Sequence, residues 1–508
     1  MVVSAGLLLG LYLCLGTWGQ FDFTDLMGYY NMLADAFLDG QLHIVYQPER
    51  IRLQDMIPFE GRYYLQWGPL PGILHALPKL FGITLSDRVA CLAANWLASL
   101  VFLRILLIVR RRWFPATPLG LCRWFFFAFA LATPTLLLAF QGSIYHESIG
   151  IAALFALLSF LAFLRYGENL AASRALASGV WLGLAVTSRI SLALDAIGLL
   201  AGIWVLNRGS RLSPAAARQR LVLFAVPVLA AGALMMGYNY ARFRSPFDYG
   251  LSHLRGPHHR AYNLDRIPEN LRHYLLSPIR FSRELPWISH TGWLPLAKTE
   301  RAEGMSSMFL ASPFLLLAGL AASIFRKPDP ELRPLKIFLG AAGGSALLVF
   351  FSLLCFDAAS RRYMQDFVPL LMILAFTGAA ARSPRWRRWR SPAWAMLCPC
   401  VLLHVHMSLF EVIGPAADPN AMKTFVALAP TLRRMAPSQK LDDFEAITHN
   451  DLGVMDLAQR RYGDALRRFE RAAERMPHAE RIRANLELAR RLTGSTPAPR
   501  SRPQRPPE

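Results

Sequence analysis

The run SIGIAALFALLSFLAFLR fills residues 148–165 and carries its only charged side chain at the last position. A helix of this length, rising about 1.5 Å per residue, reaches across nearly all of the ~30 Å hydrocarbon core of a bilayer. Comparable apolar runs recur along the chain, whereas a membrane barrel would show alternating strands of about ten residues. Since only helices and closed barrels satisfy their backbone in lipid, the sequence predicts an all-α, polytopic transmembrane helix bundle.

The composition of the whole chain agrees with a membrane protein. Of its 508 residues 54% are hydrophobic, and the mean hydropathy is positive. The first apolar run lacks a basic segment before it and a small-residue cleavage site, so we interpret it as a retained span. The runs on either side of Arg189 are short, and one broken helix or two half-depth helices would both explain them. About eleven spans are predicted, near residues 2–19, 86–109, 119–140, 148–165, 175–188, 190–206, 221–238, 308–325, 337–356, 367–382 and 393–413.

Basic residues predict which loops share a side of the membrane. The formal net charge of +21 comes largely from short loops between spans, which argues against a nucleic-acid partner. Lys and Arg collect in cytoplasmic loops, and loops of this kind alternate here with the others. The predicted cytoplasmic loops are 110–112, 165–174, 207–220, 326–336 and 382–390; the outer set is 20–85, 141–147, 239–307, 357–366 and all residues after 413.

The first outer loop opens with two carboxylates. In FDFTDLMGYYNMLADAFLDGQ, which starts at Phe21, Asp22 and Asp25 are three residues apart and would share one face of a helix. The apolar spacing predicts an amphipathic helix over 25–39, with Tyr29 behind the acids as a substrate-binding candidate. We interpret Asp25 as a catalytic base or metal ligand with Asp22 as its partner; capping of the helix is the alternative.

A second acidic site follows in QGSIYHESIG at 141–150. Glu147 begins a span on the same side as the first loop, where a charge is costly unless it is hydrated or paired. Glu147 is therefore a catalytic candidate, and a helix cap is the alternative. His146 beside it would act as a ligand or a proton shuttle, or would simply fill a polar position.

Three arginines are candidates for binding a phosphate. Arg189 stands among apolar residues in SRIS, where a cavity-facing cation is a functional candidate and a buried structural pair is the alternative. Arg361, Arg362 and Tyr363 lie on the outer side in FDAASRRYMQDF at 356–367. Guanidinium groups bind phosphate through charge and paired hydrogen bonds. Snorkelling at the membrane interface would also account for the last two arginines.

Two more outer segments are predicted to lie near the site. The stretch GRYYLQWGPLPGILHALPKLFG at 61–82 is apolar but broken by prolines, so it would lie in the interface with Trp67 at headgroup level. The largest outer loop, 240–278, is rich in Arg, His, Tyr and Asn and predicts a polar wall for a sugar or a headgroup.

The chain after the last span has a different character. Residues 414–493 predict a soluble helical module in which Leu452, Tyr462 and Phe469 fall at the offsets of a tetratricopeptide repeat. A single repeat cannot bury its own apolar face, so this module would need a protein partner, the helices before it or the membrane domain. The Pro, Arg and Ser content of 494–508 predicts disorder.

The layout of residues 1–413 resembles the GT-C superfamily of polytopic glycosyltransferases, which includes the protein O-mannosyltransferases and the aminoarabinose transferases of lipid A. The resemblance rests on the acidic motif after the first span, the interface helix behind it, a second acidic loop before the fourth span, and basic residues in later outer loops. By position the catalytic carboxylate falls on Asp25 or Asp22, and Glu147 matches the second acidic position. The spacing here is D-x-x-D, whereas the family pair is usually adjacent or one apart.

The resemblance implies transfer of a sugar from a polyprenyl-phosphate donor to a protein or glycan acceptor at the periplasmic face of the bacterial inner membrane. Such a reaction needs a carboxylate to deprotonate the acceptor and cations to hold the departing phosphate. Asp25, with Arg189 and Arg361 or Arg362, would supply both, and a role for a divalent cation is left open. The alternative is a non-catalytic membrane assembly protein acting through its tail, although an anchor needs far fewer spans. A transporter is less favoured, because no inverted repeat is visible in the spans.

Overall fold

A computed structural model of the protein describes residues 1–23, 28–45, 56–140, 142–255, 260–283, 287–289, 302–303, 305–382, 386–412, 419–435 and 437–494. Helices make up almost all of its regular structure, which confirms the predicted all-α class. The helices are α1 (Val2–Gly16), α2 (Tyr29–Leu38), α3 (Leu70–Lys79), α4 (Asp87–Trp113), α5 (Leu119–Leu131), α6 (Pro134–Phe140), α7 (Ile144–Asn169), α8 (Ala172–Ser188), α9 (Asp195–Arg208), α10 (Pro214–Phe243), α11 (Leu251–Arg255), α12 (Ile267–Leu276), α13 (Met308–Ala311), α14 (Ala322–Phe325), α15 (Arg333–Leu354), α16 (Val368–Ala380), α17 (Trp386–Val412), α18 (Pro419–Met435), α19 (Gln439–Ala458), α20 (Tyr462–Arg475) and α21 (Glu480–Thr493).

Short strands and 3-10 helices complete the described structure. The strands form three two-stranded pairs: β1 (Met56–Phe59) with β2 (Arg62–Leu65), β3 (Arg280–Phe281) with β4 (Ile288–Ser289), and β5 (Ala302–Glu303) with β6 (Ala359–Ser360). The 3-10 helices are Ile190–Leu194, Leu264–Arg266, Pro313–Ala321, Pro330–Leu332 and Arg361–Asp366. The chain divides into two compact units, the larger made mostly of residues up to Ser408 and the smaller mostly of residues after it. The boundary at 413–414 stays a prediction.

Several helices of the larger unit are apolar enough to cross a bilayer, so the chain is a multi-pass membrane protein. Among the described residues five helical segments have the length and composition of a span, and α5 with α6, bent by 54°, makes a sixth if the pair is one span. The predicted count of eleven is not confirmed, because α1, Pro313–Phe325 and α16 are apolar but shorter than a full span. The five are α4, α7, Ile190–Arg208, α10 and Pro330–Leu354.

Four of the five basic loops lie together at one end of the larger unit, as the charge pattern predicted. Side chains of each loop reach another loop of the set by an ion pair or a hydrogen bond. These contacts are Arg112 to Glu168 (3.4 Å), Arg220 to the Leu170 carbonyl (2.8 Å), Trp113 to the Glu331 carbonyl (3.0 Å) and Arg333 to the Gly209 carbonyl (3.0 Å). The end of α7 that begins at Ile144 is therefore remote from these loops.

The short apolar pair around Arg189 is two helices that meet at this residue. Helix α8 ends at Ser188, a 3-10 helix follows, and α9 begins at Asp195. Ser148 of α7 and Ser188 each donate a hydroxyl to the other's carbonyl oxygen at 2.9 Å. A Cβ on Gly68 would lie 2.0 Å from the Thr187 carbonyl oxygen, so the first outer loop also packs on this end. These contacts fix the backbone from which Arg189 projects.

Close packing of α8 on α10 leads to a prediction about Gly179. A Cβ at this position would lie 2.2 Å from the Phe224 carbonyl oxygen, so the helix backbones must separate to admit it. We expect Gly179→Ala to destabilise the protein by about 1–3 kcal/mol, as overpacking typically does. Gly232 of α10 is the matched control, since a Cβ there meets nothing within 4 Å.

The measurement is the thermal unfolding midpoint of the detergent-solubilised variants. Gly232→Ala should leave the midpoint unchanged or raise it, because Ala favours a helix over Gly by up to about 1 kcal/mol. Equal midpoints for the two variants would contradict the packing described between α8 and α10.

The first outer loop differs in part from its prediction. Helix α2 runs from Tyr29 to Leu38 instead of starting at residue 25, after Gly28 in a left-handed conformation with φ of 60°. Asp25 lies outside the described residues. Asp22 is described and is not helical, so the helical-face argument for the two acids is wrong for it. The cause is local, because glycine in that conformation interrupts a helix that periodicity alone would extend.

The apolar segment at 61–82 was predicted as one interface stretch, and the structure divides it between a hairpin and a helix. Strand β2 pairs with β1, and α3 begins after Pro69 and packs on α2, where Gly72 admits the side chain of Leu33. Leu77, Leu80 and Phe81 are exposed apolar side chains at the end of α3. An exposed apolar face next to a membrane bundle agrees with an interface helix.

The smaller unit contains its own helical core. Helices α19 and α20 pack closely where the ring of Phe469 covers Gly453, and Asn485 of α21 donates its amide to Asn450 at 2.8 Å. Ala465 and Ala472 are fully buried on the same side of α20 as Phe469. Its assignment as a tetratricopeptide repeat remains a prediction.

Candidate functional site

Three buried side chains from different elements meet at the end of the bundle that is remote from the basic loops. His75 of α3 lies with its Nε2 2.8 Å from Oε1 of Glu147 and 4.0 Å from Oδ1 of Asp87. Asp87 and Glu147 stand in the first turns of α4 and α7, where the helix dipole favours a negative charge. We call His75, Asp87 and Glu147 the acid–histidine cluster.

The cluster argues against the cap interpretation of Glu147, and its catalytic role stays a prediction. The residue at the N-cap of α7 is Ser143, and Glu147 lies four residues further on, with its side chain fully buried against His75. With a neutral imidazole, the Nε2 proton is donated to the carboxylate. Glu147 is thus a buried partner of a histidine and not a solvent-facing helix cap.

The same three residues could hold a metal ion. One ligand atom from each lies within 4.8 Å of the other two, and this is the only such set found in the part of the chain that the structure describes. An imidazole nitrogen with two carboxylate oxygens suits zinc and other divalent transition metals. The sequence pattern indicates Glu147 but gives no signal for His75 or Asp87. Neither has a local motif, because 72 residues separate His75 from Glu147.

A second group of side chains surrounds Arg189. Its Nε lies 2.7 Å from both carboxylate oxygens of Asp366, and the Ser191 hydroxyl donates to the same carboxylate at 2.9 Å. The guanidinium of Arg189 also lies over the ring of Tyr363, 4.9 Å from its centroid. Burial raises the pKa of Asp366, and the charge of Arg189 opposes the rise.

Arg362 extends this group toward α7. Its guanidinium lies 5.4 Å from the ring centroid of Tyr363 and 4.3 Å from that of Tyr145. Arginine stacks well on aromatic faces because it is planar and weakly hydrated. We call Arg189, Tyr363, Arg362 and Tyr145 the arginine–tyrosine row.

The row and the cluster share the first turn of α7. Tyr145 precedes Glu147 by two residues in the first turn of α7, and Trp67 packs edge-on against Tyr145 at 5.4 Å. The structure therefore brings Glu147, Arg189, Arg362 and Tyr363 to the same end of α7, although they come from three separate stretches of sequence.

The other candidates lie elsewhere or outside the described residues. Tyr29 is buried in a small core between α2 and the hairpin of β1 and β2. His146 is buried beside Glu147. Arg361 is fully buried, so it does not lie at the surface as a snorkelling side chain would. Asp22 lies in the chain before α2, and Asp25 is not among the described residues.

No protein-family model and no curated protein matches the chain. Among solved structures, ArnT from Cupriavidus metallidurans in the apo state is 14% identical with a TM-score of 0.45, over 97% of this chain and 77% of that one. The same protein bound to undecaprenyl phosphate is 15% identical with a TM-score of 0.45. The apo oligosaccharyltransferase of Archaeoglobus fulgidus is 13% identical with a TM-score of 0.44, over 88% of this chain and 59% of that one. Likeness at this level leaves the function to be argued from the residues of the site.

Proposed function

We propose that the protein is a membrane glycosyltransferase that moves a sugar from a polyprenyl-phosphate donor to a protein or glycan acceptor. The observation that supports it most is the arginine–tyrosine row beside the acid–histidine cluster. Both lie at the end of α7 that is remote from the basic loops, whose side chains meet near Glu168. If those loops are cytoplasmic, the site faces the periplasm of a bacterial inner membrane.

The row suits a lipid phosphate in charge and in position. Asp366 balances Arg189, while Arg362 stacks on two tyrosines and is only partly buried. A guanidinium at the edge of a low-dielectric bundle binds a phosphate more strongly than one in bulk water. The lipid tail would remain in the bilayer beside the spans while its headgroup reaches the row.

Glycosyl transfer also needs a base for the acceptor. In the proposed reaction Asp25 takes the proton of the acceptor hydroxyl, whose oxygen bonds to the anomeric carbon as the bond from that carbon to the phosphate oxygen breaks. The polyprenyl phosphate leaves with the bonding electrons and is held by the arginines. Asp22 is the second candidate for the base. If a divalent cation takes part, His75, Asp87 and Glu147 would hold it, and it would supply Lewis-acid stabilisation of phosphate charge.

Binding of undecaprenyl phosphate to the purified protein in lipid nanodiscs tests this proposal. Hydrogen bonds to charged groups contribute about 1.5–3 kcal/mol, so Arg362→Ala should weaken binding by about tenfold or more. The affinity of Arg362→Lys should lie between those of the wild type and Arg362→Ala, because lysine keeps the charge and lacks the planar guanidinium.

Arg112→Ala is the matched control, since this partly exposed arginine pairs with Glu168 at the opposite end of the bundle. It should bind the lipid as the wild type does. Unchanged binding by Arg362→Ala, or no binding by the wild type, would overturn the proposal.

A non-catalytic assembly role through α18–α21 is the second candidate. The smaller unit has its own buried core, and we propose that it docks a protein partner in either case. Substitutions in the larger unit distinguish the two candidate functions. An assembly protein should work normally after substitutions of Asp25 or Arg362 that leave its abundance unchanged, whereas a glycosyltransferase should not.

A further inference from the structure

The arginine–tyrosine row continues into a strip of aromatic rings that reaches the largest outer loop. The ring of Phe356 lies 5.6 Å from that of Tyr363, and Tyr262 lies 5.3 Å from Phe356, both in edge-on contact. At the other end Trp67 packs on Tyr145. We call these five aromatic residues the aromatic strip.

The backbone around Tyr262 is held in place from several sides. Tyr262 forms an isolated antiparallel bridge with Phe356, and the Asn263 amide donates to the Cys355 carbonyl at 2.8 Å. Arg266 forms an ion pair of 2.7 Å with the buried Asp357. The loop therefore presents Tyr262 at a fixed position above the end of α15.

The side chain of Tyr262 is not buried, although the backbone around it is held in place. It remains 51% exposed, whereas Tyr363 two rings away is 8% exposed. Partial burial, the largest cause, raises the pKa of its hydroxyl, and the charges of Arg189 and Asp366 also act on it. Tyr262 is thus an exposed aromatic ring that is rigidly held near the ion pair of Arg189 and Asp366. Aromatic side chains next to a few fixed polar groups are typical of the wall of a binding site.

A sugar phosphate matches this combination of groups. The phosphate carries negative charge for the arginines, and the C–H face of a sugar ring is apolar enough to pack on an aromatic side chain. Tyrosine adds a hydroxyl that can donate to or accept from sugar hydroxyls. We propose that Tyr262 positions the sugar of the lipid-linked donor while Arg362 holds its phosphate; this inference rests on the proposed function.

The test compares the bare carrier with its sugar-loaded form. Undecaprenyl phosphate and undecaprenyl phosphate loaded with glucose, mannose, galactose or aminoarabinose are titrated into nanodiscs containing the full chain. Loss of the ring should make Tyr262→Ala bind the preferred loaded lipid about five times more weakly, which is equivalent to about 1 kcal/mol. Its affinity for bare undecaprenyl phosphate should be that of the wild type. Tyr262→Phe keeps the ring and removes the hydroxyl, so its affinity for the loaded lipid shows how much each of the two groups contributes.

Phe247→Ala is the matched control, since Phe247 is an exposed aromatic residue of the same outer loop that lies outside the strip. It should bind every lipid as the wild type does. The inference is overturned if Tyr262→Ala keeps full affinity for the loaded lipids, if it loses the bare lipid equally, or if the wild type favours no loaded lipid. A wild type that fails to bind bare undecaprenyl phosphate overturns the proposed function instead.

Discussion

Replacing Asp25 with Asn is expected to abolish glycan transfer while the protein still accumulates in the membrane at normal levels. The two possible roles of Asp25, helix cap and general base, predict effects of very different size. Asn caps a helix about as well as Asp, so loss of a cap would change stability by only a few tenths of a kcal/mol. Asn cannot accept a proton as a general base does, and such catalysis typically contributes 10²–10⁴-fold, roughly 3–5 kcal/mol of barrier.

Asp22→Asn is the matched control for this substitution. Both variants remove one negative charge from the same short motif, so an effect of charge alone would be similar in the two. We expect Asp22→Asn to retain more transfer, measured as product formed per amount of membrane protein. Full transfer by Asp25→Asn, or a loss in proportion to abundance, would show that Asp25 is a cap or a packing residue.

Replacing Arg189 with Met is expected to reduce both abundance and transfer sharply. The carboxylate of Asp366 is 1% exposed and accepts its ion-pair hydrogen bonds from Arg189. Removing one partner of a buried ion pair leaves the other charge without compensation, which costs about 3–5 kcal/mol. Membrane-inserted protein measured by quantitative blotting, together with the unfolding midpoint, should show this loss.

The double variant Arg189→Met with Asp366→Asn distinguishes a structural arginine from one that binds phosphate. Asn removes the buried charge, so the free energy of unfolding and the abundance should return close to the wild-type values. If transfer returns as well, Arg189 is only a structural partner of Asp366. If abundance returns and transfer does not, Arg189 contributes to binding of the phosphate, which is the result we expect.

The sequence by itself determined the helical membrane class and the grouping of the basic loops. Both depend on properties that act locally: an apolar run in lipid must satisfy its own backbone, and a loop charge acts at the loop itself. The break at Arg189 was visible for the same reason, as an abrupt charge between two short runs. Glu147, Arg362 and Tyr363 could be named as candidates because polar residues at the edge of a span are costly without a role.

Only the tertiary structure decided which of these side chains meet. His75 joins Glu147 across 72 residues, and Arg189 joins Asp366 across 177, so no local pattern connects either pair. Each contact depends on the rotation and depth of whole helices, and a residue one position along a helix turns its side chain by about 100°. The hairpin of β1 and β2 likewise depends on strand pairing that overrides apolar periodicity. Candidate functional residues could therefore be found from the sequence, whereas the residues that they contact could be identified only in the packed bundle.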